Sequence, residues 1–211
     1  MTNGSKLRAV ERRKKEKERR RRSILEAALK LFVEKGYRKT KMDMIAEEAG
    51  LSKGLLYFYF SSKDQILTEI IKENFRSLFP RLEAILTEED DPVVQLKKFI
   101  LTEVDFYTKK RALSRLLYSL LVGYDLDEIK ETYKEVFLEL HRREREILGK
   151  IVERGVSEGK FRASDPASLM SFISGPLHSL IFFRKKPIES SQEIAEDLIT
   201  LLFQGLLKVK L

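Results

Sequence analysis

A chain of 211 residues with 43% apolar content is long enough to bury the core of one or two domains. It has no cysteine, which excludes disulfides and thiolate metal sites, and only two histidines, His141 and His178, at no metal-ligand spacing. The net charge of +8 lies wholly in residues 1–22, where eleven Lys and Arg outweigh three Glu, so the rest of the chain is neutral. The longest apolar stretch, Leu169 to Phe183, is interrupted by Ser171, Ser174, Gly175, Pro176, His178 and Ser179. It is too short and too polar to span a bilayer, and nothing at the N-terminus reads as a signal peptide, so a cytoplasmic location is expected.

Residues 1–22 lack the apolar side chains needed to pack and read as a basic arm that neutralises DNA phosphates or enters a minor groove. The competing reading is a solvated extension of the first helix. Ser23 to Lys35 carries Ile24, Ala27, Ala28, Leu31 and Phe32 on one face, and Gly36 ends the helix. Tyr37 is expected to pack rather than to touch a ligand.

From Thr40 to Lys63 the sequence TKMDMIAEEAGLSKGLLYFYFSSK reads as a short helix, a tight turn and a second short helix. Thr40 is placed to cap the first helix, with Asp43 three residues on. Gly50 permits the left-handed turn, and Ser52 caps the second helix. Leu56 and Phe60, four apart, point inward, which leaves Lys53, Gly54, Leu55, Phe58 and Tyr59 on the outer face. Two short helices joined by a glycine turn form a helix-turn-helix. The run ILEAALKLFVEKGYRKTKMDMIAEEAGLSKGLLYFYFSSKDQIL, from Ile24, resembles the N-terminal domain of the TetR family of bacterial transcription regulators. The resemblance implies that Thr40, Lys41, Lys53, Tyr57, Tyr59 and Lys63 contact phosphate or base edges. Lys41 stands where many members have threonine and can still reach a phosphate. Leu55, often threonine in relatives, offers only apolar contact, for example to a thymine methyl.

A fourth helix is expected from Ser62, capped with Gln65, to Pro80. TEEDDP is a turn, followed by helices at Val93 to Lys109, Leu113 to Val122 and Leu126 to Val156. GVSEGK, from Gly155, lacks both the spacing and the following hydroxyl residue of a phosphate loop and reads as a helix end. Asp165 and Pro166 open a strongly apolar helix running to about Arg184, and Ser190 with Glu193 caps the last one.

The expected fold is therefore all-α, about nine helices. A basic arm (residues 1–22) precedes a three-helix DNA-binding domain (23–70) and a larger helical domain for effector binding and dimerisation (71–211). The last two helices are too apolar for a monomer surface and read as half of a four-helix dimer bundle, with Leu177, Leu180, Leu198, Leu202 and Phe203 at the seam. The resemblance also implies an effector pocket in the C-terminal half. Its candidates are the aromatic residues Phe99, Tyr107, Tyr118, Phe137 and Phe172, with His141 and His178 as polar handles. No catalytic constellation, cofactor motif or metal site is present, so an enzyme is not expected. The leading reading is a homodimeric repressor of a double-stranded DNA operator, released by a small, mainly apolar or aromatic effector. The alternative is a DNA-bound structural or adaptor protein without an effector.

Overall fold

The computed structural model describes residues 3–87, 90–122, 131–162, 165–173 and 191–206. Within these, only the backbone is described at 3–7, 9, 121–122, 131–133, 191 and 201–206. Among the described residues nine helices are delimited, a further helical run occupies 166–173, and no β-strand forms. The fold is all-α, as expected. The chain divides into two compact units, Met1–Ile71 and Lys72–Leu211.

In the first unit, α1 (Asn3–Lys35) is a single 33-residue helix, so the basic segment continues the first helix instead of forming a separate irregular arm. Glu16 bridges to Arg19 and Arg20 at 2.9 Å, one turn along, which supports the helix locally. The segment joins the domain where Arg21 pairs with Glu69 and lies 4.8 Å over the Phe60 ring. Ile24, Ala27, Ala28, Leu31 and Phe32 are all buried, as the helical spacing requires. They pack against α2 (Met42–Glu48), with α3 (Lys53–Tyr59) next in the chain. Lys30 Nζ reaches Glu48 at 2.6 Å across the α1–α2 contact. Leu56 and Phe60 are both completely buried, each contributing roughly 1.5–3 kcal/mol by leaving water.

The fourth helix differs from expectation. α4 covers Lys63–Phe75, and a new helix, α5, covers Phe79–Thr87. Pro80 is the cause. Its ring clashes with the carbonyl four residues back, at Arg76, and it has no N–H to donate. A continuous helix is therefore broken at residues 76–78, and Pro80 sits in the first turn of α5, where a missing N–H costs nothing.

In the second unit, α6 (Pro92–Lys109) is central, packed by α5, α7 (Arg111–Val122), α8 (Glu131–Ser157) and α10 (Ser191–Leu206). It buries about half of its circumference, including Leu96, Phe99, Ile100, Val104, Phe106 and Tyr107. Asp91 caps it by accepting from the Val93 N–H at 2.7 Å, with Pro92 at the first position. Gln95, buried, donates to the Ile85 carbonyl at 2.9 Å and satisfies the end of α5. The GVSEGK segment closes α8, with Lys160 and Phe161 N–H both bonded to the Gly155 carbonyl. Its lysine pairs with Asp91 and Glu158. Asp165 caps the helical run α9 (residues 166–173) through the Ser168 N–H at 2.9 Å.

Candidate nucleic-acid interface and open cavity

Gly50, at φ 65°, turns the chain sharply between α2 and α3. Ser52 then accepts the Leu55 N–H at 3.3 Å and starts α3. With Leu56 and Phe60 pinned inside, the opposite face of α3 must point outward. Lys53, Gly54, Tyr57 and Phe58 are exposed, and Leu55 and Tyr59 are half-buried. Phe58 is 72% exposed, an unusual position for a phenyl ring, and stacks edge-on against Tyr59 at 5.4 Å. Lys41 is exposed at the entry to α2. Seven of the nine residues assigned to DNA from sequence thus share an accessible surface on the two helices.

The other two are placed differently. Thr40 is 1% exposed, and its hydroxyl donates to the carbonyls of Gly36 at 2.9 Å and Leu31 at 3.3 Å. Lys41, not Thr40, occupies the cap position of α2, without a side-chain bond. Lys63 extends its ammonium to the carbonyls of Tyr37 at 2.7 Å, Thr40 at 3.0 Å and Arg38 at 3.4 Å, over the Tyr37 ring. Tyr37 in turn donates to Asp64 and packs on Phe32. Thr40 and Lys63 therefore tie the loop between α1 and α2 into the domain. They shape the surface while their polar atoms face inward. One feature of this surface carries no sequence signal. Lys53 Nζ bridges back to Asp43 of α2 at 2.9 Å.

In the second unit a cavity of about 470 Å³ opens between the end of α4, α5 and α8. Phe75, Phe79, Val136 and Leu140 form its apolar wall, and Lys72, Arg76, Arg143, Glu135 and Glu139 its polar rim. Arg143 is held by Glu83 at 2.7 Å and lies 3.9 Å over the Phe79 ring. None of the effector residues named from sequence lines this cavity. Phe99 and Tyr107 are buried in the α6 core, while Tyr118, Phe137 and His141 are half-buried. Phe172 is 65% exposed, a surface residue of α9 rather than a pocket wall. His178 lies outside the described residues.

Of the seam residues, Leu198 is 5% exposed within one protomer. Its side chain is buried within the single protomer, where α10 packs on α6. Leu177 and Leu180 lie outside the described residues, as do the side chains of Leu202 and Phe203.

Two carboxylates are buried in this unit. Glu103 of α6 and Glu144 of α8 are each 1% exposed, and each has one oxygen, Oε1, without a hydrogen-bond partner. The other Glu144 oxygen lies 3.2 Å from His141 Nδ1. Burial first, then the neighbouring Glu144 charge, push the Glu103 carboxyl well above the usual carboxylate range, with Arg81 opposing. Burial likewise raises the Tyr107 phenol, with the two glutamates adding to it.

Residues 24–70 match the family model described as bacterial regulatory proteins, tetR family, and residues 89–206 match the tetracyclin repressor-like C-terminal domain. Over 84 residues the chain is 40% identical to the uncharacterized HTH-type transcriptional regulator YuxN of Bacillus subtilis, covering 40% of this chain and only 28% of that protein. Over 144 residues it is 29% identical to the HTH-type transcriptional repressor KstR2 of Rhodococcus jostii, covering 68% of this chain and 69% of the other. The structure is similar to the TetR family transcriptional regulator PfmR of Thermus thermophilus. The TM-score is 0.74 at 30% identity, over 88% of this chain and 96% of the other.

Proposed function

The chain belongs to the TetR family of bacterial transcription regulators, and from that we propose that it is a homodimeric repressor released from its operator by a small, mainly apolar effector. The observation that carries the DNA-binding half is the division of α3. Leu56 and Phe60 are fully buried, while Lys53, Gly54, Tyr57 and Phe58 are exposed on the opposite side. A helix so divided presents cation, bare backbone and aromatic surface together, which suits phosphate contact at its start and base-edge contact along its length. The 33-residue α1, with the chain's whole net charge in its first 22 residues, adds sequence-independent attraction to the phosphate backbone. The repressor sense is supported by the resemblance to KstR2, which is named a transcriptional repressor.

The effector half is supported by the cavity between α4, α5 and α8, whose walls are Phe75, Phe79, Val136 and Leu140. Its volume, about 470 Å³, falls in the range that holds a small organic molecule. An effector that prefers one conformation by about 1.4 kcal/mol shifts operator affinity tenfold. The test is selection of an operator from random duplexes with the full chain, followed by competition with apolar ligands. A ligand acting as effector binds the protein–operator complex more weakly, by the same factor by which it weakens operator binding. Failure to enrich any duplex removes the operator reading. An enriched operator that no ligand disturbs favours the adaptor alternative.

A further inference from the structure

Glu103 and Glu144 stand at positions where helical spacing calls for apolar residues. Glu103 lies four residues after Phe99 and four before Tyr107 on the buried side of α6. Glu144 follows Leu140 by four on α8, and Leu140 lines the cavity. The Phe75 ring of the cavity wall lies 5.1 Å from Phe106 and 6.3 Å from Tyr107. Glu144 therefore sits one helical turn beyond the wall residue Leu140, beside His141, and Glu103 sits one turn from Tyr107, behind Phe75 of that wall, close enough to feel the Glu144 charge.

A carboxylate taken out of water without a partner is among the costliest groups a core can hold. Here two acidic side chains are buried together, and although Glu144 meets His141 through one oxygen, each keeps its Oε1 without a hydrogen-bond partner. We infer that Glu103 and Glu144 form the polar anchor of the effector site and receive a protonated amine carried by the apolar effector. This rests on the effector reading above and narrows its chemistry. The orphan oxygens call for hydrogen-bond donors and the buried acids for a positive charge; a primary ammonium supplies both, a quaternary ammonium lacks the donor and an alcohol lacks the charge. A metal ion fits less well, because among the described residues no three His, Asp or Glu side chains converge as a ligand set. The rim carries both signs and is open to water, which screens it, whereas the inner pair is not screened. Before the amine arrives, burial and the Glu144 charge favour a proton on Glu103, which limits the cost of the pair. The ammonium then takes that proton's place as the counter-charge.

The experiment is calorimetric titration of the full chain with n-octylamine, octan-1-ol, octanoate, octyltrimethylammonium and Mg²⁺. It uses the wild type, Glu103→Gln, Glu144→Gln and the surface control Glu153→Gln, an exposed residue of α8 away from the cavity lining. Octylamine is expected to bind at least about tenfold more tightly than octanol, and octyltrimethylammonium more weakly than octylamine. Each buried Gln variant should lose about tenfold for octylamine and nothing for octanol, and the control should behave as wild type. A variant that does not fold is replaced by wild-type titrations in two buffers of different ionisation heat. There octylamine should release more protons than octanol. Octylamine binding no tighter than octanol, or untouched by both substitutions, overturns the inference. Octanol or octanoate displacing the operator while octylamine does not leaves the apolar-effector reading standing and removes the amine. Tight Mg²⁺ binding lost in the Gln variants replaces the amine with a metal, and no binding by any probe removes both readings.

Discussion

Lys53 Nζ lies 2.9 Å from the Asp43 carboxylate, joining the two helices of the DNA-binding unit across their exposed faces. The pair is solvated on both sides, at 63% and 62% exposure, so it adds little to stability. Its significance is competition, since Asp43 holds the charge that a DNA phosphate would otherwise take. Asp43→Asn should release Lys53, strengthen binding to random duplex and steepen the salt dependence by roughly 0.9 per phosphate gained. Lys53→Ala should do the reverse and weaken a selected operator by about 1–3 kcal/mol. Salt titrations of both variants give the check, and parallel slopes would remove Lys53 from the interface.

Gly54 has no heavy atom within 4 Å of where a Cβ would stand, and its backbone is ordinary helix. Nothing inside the free protein requires a glycine there. Gly54→Ala should therefore stabilise the free protein by about 0.5–1 kcal/mol through helix propensity. On the operator the added methyl meets the approaching phosphate or base edge, so affinity should fall. Melting temperature and operator affinity should thus move in opposite directions. If both rise, the N-terminal turn of α3 does not approach DNA closely.

Thr40 and Lys63 should behave as scaffold. Thr40→Val keeps the shape and removes the hydroxyl shared by the Gly36 and Leu31 carbonyls, at a cost of about 1–3 kcal/mol that falls mainly on Gly36. Lys63→Met should likewise lower the melting temperature, because three carbonyls lose their shared donor. Any DNA defect in either variant should disappear at temperatures where it is fully folded. A persistent defect in the folded Lys63→Met protein would return Lys63 to the phosphate contacts.

The helix-turn-helix was readable because its signals are local. Gly50, Ser52, Leu56 and Phe60 act within one or two turns of the chain, and each does in the structure what its spacing suggests. The carbonyl partners of Thr40 and Lys63 are not legible in the sequence, because a hydroxyl or ammonium is equally suited to a carbonyl and to a phosphate. Which it meets depends on α1 and α4 converging from far apart in sequence. The break between α4 and α5 was legible in kind, at Pro80, but displaced, because proline disrupts the turn before it. The cavity was not legible. Its walls come from residues 72–79 and 135–143, and a list of aromatic residues cannot separate lining from core. Glu103 and Glu144 did leave a signal, a charge in register with an apolar stripe.

The raised Glu103 carboxyl gives the second unit a defined pH response. The folded form keeps a proton that the unfolded chain has released above about pH 4.5. Stability from this group is complete below that pH and is lost as pH rises towards the folded value. Glu144, His141, Tyr107 and Arg81 are the charged or titratable neighbours. Glu103→Gln carries no charge at any pH and should flatten this dependence. It should melt above wild type at pH 8, by about 2–4 °C for each kcal/mol relieved. Parallel melting curves for the two proteins from pH 5 to 9 would show that Glu103 titrates normally.

Phe172 should lie at the dimer seam. Its ring is 65% exposed on α9, in the stretch that the sequence marks as too apolar for a surface. A phenylalanine side chain gains about 1.5–3 kcal/mol on full burial, and in a two-fold interface each copy contributes. Leu198 is the internal control, since its own side chain is already buried in the single protomer, on the side where α10 meets α6. Phe172→Glu should place a charge in the interface and give monomers by analytical ultracentrifugation, with the helical signal retained and operator affinity sharply reduced. Leu198→Ala should instead lower the melting temperature, at a cost of about 2–5 kcal/mol, and remain dimeric as long as it is folded. A Phe172→Glu dimer of wild-type stability would move the seam away from α9. Monomers of folded Leu198→Ala would restore α10 to the interface.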